Sequence, residues 1–205
     1  MENLDQNELL TAKKIVKKGL LKAAESLSFF MKEKVDINEL DFHISDHIAC
    51  PDKTGDNIHL LTTEVMGELP GVCYLVFSEE EADRLREVVL SAELRDSPEL
   101  ANEMKDAILL EVDNIISASV ITEFSNILNH RIYGNVPTLK LVNPSDLDRM
   151  LKERSGADFF AINFRTQFLS SNINFSPEFV WLFDNNFLNS VKQLVRREES
   201  LMQMF

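Results

Sequence analysis

Two side chains of complementary chemistry lie three residues apart in LLEVDNII, residues 109–116: the Glu111 carboxylate and the Asn114 amide. Three residues is nearly one helical turn, so on a helix both emerge on one face. They offer an ion-pairing group beside a group that both donates and accepts hydrogen bonds. Around them cluster Ala107, Ala118, Thr122 and Ser125, small residues that leave the two polar heads standing proud of a low surface. That arrangement suits docking into a partner's cavity. Across the same helix, Leu109, Val112, Ile116, Val120, Phe124 and Ile127 form a stripe expected to face a core. A solvated helix face accounts for the pair without any function, because Glu-x-x-Asn recurs by chance. Asn is a poor helix former, which weighs against that plainer reading.

Other chemistry is thinly represented. HISDHIAC sets His43, His47 and Cys50 at intervals that would suit a metal on a helix, but Pro51 follows at once and the residues before alternate like a strand. Scattered loop and surface positions are the expectation there. Gly-rich phosphate loops, Gly-x-Ser-x-Gly and His-Glu-x-x-His do not occur. Cys50 and Cys73 are the only cysteines, which argues against a disulfide framework or structural zinc and for a reducing compartment. Lys13, Lys14, Lys17 and Lys18 could form a patch for an acidic partner, while Arg84, Arg86, Arg196 and Arg197 read as solvated helix faces. Asp113 leans toward the core and is expected to pair with a neighbouring base. The 14 phenylalanines and Trp181 read as core.

The elements that must carry the pair follow from periodicity and turn chemistry. A long helix is expected from about Asn7 to Glu33, then short extended pieces at 35–37 and 41–45 and a loop from Cys50 to Asn57. Strands are expected at 58–67 and 71–77, and Ser78 ahead of Glu79, Glu80 and Glu81 caps a helix reaching about Ala92. Pro98 opens a second long helix to about His130. A strand at 136–142, a short helix from Ser145, strands at 159–168 and 178–184, and a last helix from Asn185 complete the chain.

The order of long helix, strands and closing helix occurs twice. A shift of 97 residues matches Leu27 with Phe124, Ser28 with Ser125 and Met31 with Leu128, and a shift of 106 matches Phe77 with Phe183 and Ser78 with Asp184. The 205 residues are therefore expected to form one α/β (α+β) domain of two repeats, about 1–95 and 96–205, sharing a core with a sheet flanked by two long helices. The 97-residue shift sets Lys14 against Glu111 and Lys17 against Asn114, so only one half carries the pair.

A net charge of −13 argues against binding nucleic acid or an anionic membrane, both of which need basic surfaces. The opening MENLDQNELL is acidic and lacks the features of a signal peptide, and no apolar run approaches the ~18 residues that span a bilayer. A cytoplasmic location is expected.

Glu111-Val-Asp-Asn114, followed by 22 residues and Pro137 at the start of VPTLKLV, resembles the signature of the CheC/CheX/FliY family of chemotaxis phosphatases. AAESLSFFMKEKVDI (23–37) is similar to the matching stretch of that family's first repeat. The family's motif opens with Asp or Ser one turn before the Glu, and here that position is Ala107. The resemblance implies a CheC-like duplicated fold and hydrolysis of the aspartyl phosphate of a CheY-like response regulator. It implies that Asn114 orients the attacking water, that Glu111 ion-pairs with the regulator's lysine, and that Mg2+ is held by the regulator, with no cofactor bound by this chain. Under the same resemblance the alternative is a non-catalytic module binding a response regulator, a CheD-like protein or a flagellar switch component. A homodimer is compatible with either.

Overall fold

The computed structural model describes residues 4–45, 57–90, 98–154 and 159–202. Helix α1 (Gln6–Met31) starts at a capping box in which the Asp5 carboxylate accepts from the Glu8 amide and Glu8 accepts from the Asp5 amide. It ends where Lys32 turns left-handed, φ 55°, slightly earlier than the periodicity alone suggests. Strand β1 (Asp36–Ser45) is one continuous edge strand with a bulge between Ile37 and Leu40, which is why its sequence reads as two pieces. Strands β2 (Ile58–Gly67) and β3 (Gly71–Ser78) form a hairpin. Ser78 and Glu81 cap helix α2 (Glu79–Val89) reciprocally, as expected from sequence.

Helix α3 (Pro98–Leu128) is followed by two short strands, β4 (Ile132–Gly134) and β5 (Thr138–Val142), which both pair with β2. Helix α4 (Pro144–Arg154) opens one residue before the expected Ser145, because the Asn143 side chain caps the Asp146 amide at 2.9 Å. Strand β6 (Phe159–Leu169), the two-residue β7 (Asn174–Phe175), strand β8 (Glu178–Asp184) and helix α5 (Asn185–Met202) follow. β4 is the short extended piece expected between the second long helix and the strand opened by Pro137, whereas sequence patterning leaves β7 unforeseen, because two residues carry no periodicity to read.

All strands join one antiparallel sheet in the order β1-β6-β8-β3-β2-β4, with β5 also on β2. The order is symmetric about the β8–β3 pair: β6 matches β2, and β1 matches β4 with β5. Each half therefore lends its outermost strand to the other half's second strand, and the halves close over one core. That core lies between the sheet and the long helices, around Trp181, Phe124, Phe183 and Phe187. A smaller cluster on the opposite sheet face joins Leu147 and Leu151 of α4 to Leu60, Val76 and Leu182.

Helices α1 and α3 pack against each other at Gly19, where a Cβ would stand 2.6 Å from the Val120 Cα. Only glycine permits that approach. α1 leads down into the start of β1, whereas α3 leads to β4 at the end of β2, and β1 and β2 point the same way in the alternating sheet. The two long helices are therefore antiparallel. No helix among the described residues is long and apolar enough to cross a membrane.

Candidate functional site

Helix α3 divides cleanly into two faces. Leu109, Val112, Ile116, Val120 and Phe124 are fully buried, and Phe124 stands edge-on to Trp181, Phe183 and Phe187. Ala107, Glu111, Asn114, Ala118 and Thr122 are exposed on the outer face, with Ser125 half-buried beside them. The small neighbours leave the Glu111 and Asn114 heads accessible. Neither side chain bonds to another among the described residues. Pro137 is buried in the turn between β4 and β5.

Three devices fix the rotation and position of α3. The first is Asp113, one of the two residues between the pair's members and on the opposite side of the helix from Glu111's exposed face. It is fully buried and accepts from the Thr63 hydroxyl of β2 at 2.8 Å and from Ser117, one turn on, at 2.9 Å. The base expected as its partner is replaced by two hydroxyls. Burial pushes the Asp113 carboxyl up to about 6, against the two hydroxyl donors that pull it down. Beside it, burial raises the Cys73 thiol further from ionisation. The second device is the Gly134 approach, which lets Ile121 and Thr63 close to 3.1 Å of where a Cβ would sit. The third is Glu123, whose side chain is covered and ion-paired with Lys18, at 2.8 Å, and with Lys22 across the α1 seam.

The N-terminal part of α3 is held by Arg86 of α2. This residue is buried, correcting its reading as a solvated base: its guanidinium donates to the Lys105 carbonyl at 3.2 Å and pairs with Asp83 at 3.0 Å and Asp106 at 3.4 Å. Asp106 is thereby occupied and turned away from the outer face that Ala107 shares with Glu111. Of the weighed metal set, His43 lies exposed on β1 beside Asp41 at 2.8 Å, while His47 and Cys50 fall outside the described residues. No metal-ligating cluster occurs among the described residues.

Lys14 and Lys17 on α1 are exposed, like their counterparts Glu111 and Asn114. Phe29 overturns the expectation that every phenylalanine is core, because it is 86% exposed at the end of α1. Helical spacing turns it outward, because it stands two residues from both Leu27 and Met31, which are buried, while Phe30 beside it packs against the core. The Asp113 clamp leaves a faint trace in the sequence: Ser117 lies one turn on, and Thr63 sits at an inward position of β2.

No family model matches the chain, and no curated protein is detectably similar to it in sequence. Its architecture, however, matches solved structures over nearly its full length. FliY from Thermotoga maritima superposes with a TM-score of 0.69 at 14% identity, covering 95% of this chain and 98% of that one. The chemotaxis protein CheX from Desulfovibrio desulfuricans gives 0.51 at 13% identity, covering 81% and 97%. The FliM middle domain from Vibrio alginolyticus gives 0.53 at 11% identity, covering 89% and 99%.

Proposed function

We propose that this chain, which has the CheC/CheX/FliY fold, is a phosphatase acting on the aspartyl phosphate of a CheY-like response regulator. The observation that carries the reading is the Glu111–Asn114 pair. Both side chains are exposed and unengaged among the described residues, on a helix whose own rotation is pinned from beneath by Asp113 and from the side by Glu123. An acyl phosphate is already reactive, so a catalyst needs mainly to place water in line with the bond to phosphorus. The Asn114 amide orients that water; attack at phosphorus breaks the bond to the aspartyl oxygen, releasing inorganic phosphate, a free carboxylate and a proton. Glu111 pairs with a cation of the regulator and fixes the dock. The Mg2+ such chemistry uses belongs to the regulator.

A second reading is favoured by one residue and one comparison. Ala107 stands where the motif has Asp or Ser, and the FliM middle domain superposes about as well as CheX. On that reading the chain is a binding module for a regulator or switch component. Decay of a radiolabelled phospho-regulator separates the two. Wild type is expected to accelerate decay, and Asn114→Ala to lose at least about a hundredfold of that acceleration with unchanged melting. Equal acceleration by the variant would sink the assignment; absence of acceleration by wild type with retained binding would establish the module.

A further inference from the structure

We infer that α1 forms the other half of the docking surface, attracting the acidic, phosphorylated regulator domain to the face that carries Asn114. The inference rests on the functional reading above and names how its partner is recognised. Gly19 brings α1 so close to Val120 of α3 that the outer faces of the two helices make one continuous surface. On α1 that surface carries Lys14 and Lys17, with the half-buried Lys13 at its margin, none of them ion-paired among the described residues, whereas Lys18 and Lys22 are engaged by Glu123. Flanking them along α1 are Leu10 and Leu21, each 48% exposed, and, farther on, Phe29. Phe29 borders a groove of about 400 Å³ between α1 and β1, shared with Leu21, Ala24 and Val35.

The antiparallel sense of the helices orders these features. Phe29 lies ten residues beyond Gly19 and Glu111 nine before Val120, so both stand on the same side of the crossing at the same level. At 1.5 Å per residue that level is about 14 Å from the crossing. Lys13, Lys14 and Lys17 lie on the other side of the crossing. A globular domain seated on Asn114 therefore overlies Leu21 and Phe29, and its flank faces the lysines.

Charge decides why such a patch is needed. A chain of net charge −13 repels an acidic phosphorylated domain at long range, and Glu111 adds to that repulsion at the dock. The unpaired lysines of α1 present the opposite sign across the crossing, at the flank of a domain seated on the pair. Steering of this kind acts on encounter and is screened by salt, while the exposed apolar side chains act on residence and are not.

The test uses the full chain and a receiver domain phosphorylated by acetyl phosphate, with kcat and KM measured at about 20 mM and about 500 mM salt. Lys13→Glu/Lys14→Glu/Lys17→Glu is expected to raise KM about tenfold at low salt and leave kcat unchanged. The difference should collapse at high salt, and the Lys13→Arg/Lys14→Arg/Lys17→Arg variant should keep the wild-type KM. Phe29→Ala is expected to raise KM about threefold at both salt levels. An unchanged KM and salt slope in the Glu variant, or a fall in kcat instead, overturns the inference while the phosphatase reading stands. A wild type that hydrolyses nothing overturns both.

Discussion

At Leu10, Lys14, Lys17 and Leu21 the outer face of α1 presents large apolar and basic side chains. At Ala107, Glu111, Asn114 and Ala118, the positions of α3 that match by the 97-residue shift, it presents small, acidic and amide ones. Exposure is the same at all eight positions; chemistry is not. The buried faces, by contrast, are alike in character, since both must cover the same sheet: Leu27 and Phe124, Met31 and Leu128 are all buried. Packing constrains one side of each helix and leaves the other free to diverge. The pair on α3 is therefore no requirement of the fold, because α1 fills the same architectural role without it.

The comparison can be broken most directly at the seam. Gly19→Val adds atoms where even a Cβ stands 2.6 Å from the Val120 backbone. Such overpacking against backbone is expected to cost about 3 kcal/mol or more, seen as a large drop in the urea midpoint. A variant as stable as wild type would mean that the two outer faces do not depend on this contact.

A second change tests what holds the α3 face alone. Asp113 has a folded-state value of about 6 against an ordinary 3.8, so folding takes up a proton between roughly pH 4 and pH 6. Its contribution to stability is greatest below pH 4 and falls as pH rises to 6. Asp113→Asn removes that fall. Relative to wild type, the variant should gain up to about 3 kcal/mol between pH 4 and pH 7, read from urea midpoints at the two values. Glu33 and Glu123, whose carboxyls lie below the ordinary range, titrate in both chains and cancel in the difference. A difference that stays constant with pH would contradict the buried, ionisable clamp.

The smallest effect belongs to the outer surface itself. Ala107→Asp places an acid on the exposed turn before Glu111 and is expected to raise phospho-regulator turnover about threefold without shifting the melting temperature. An unchanged or lower rate would show that Ala107 does not limit the site.

Much of this was legible from residue order. Helical periodicity places Glu111 roughly opposite Val120 and sets Asn114 off the Leu109–Phe124 stripe, and the structure exposes Glu111 and Asn114 and buries Val120 and Phe124. The Ser78 cap is a local interaction and follows from local sequence. What escaped depends on partners distant in the chain. Arg86 is buried because Lys105 and Asp106 arrive from α3, and Asp113 is satisfied by Thr63, fifty residues earlier. Phe29 reads as core by type alone, but its place on α1, two residues from both buried Leu27 and buried Met31, turns it outward.

The exchange of outer strands bears on how the protein is made. When a ribosome has released the first ninety residues, β1 has no neighbour, because its partner β6 begins at Phe159, and β2 still lacks the cover of β4 and β5. β3 must wait longer, for β8 at Glu178–Asp184. The nascent first half thus carries unpaired edges through most of translation, and the sheet closes only when nearly the whole chain has emerged. Contacts of such long sequence separation slow folding, so this protein is one whose halves finish together or not at all.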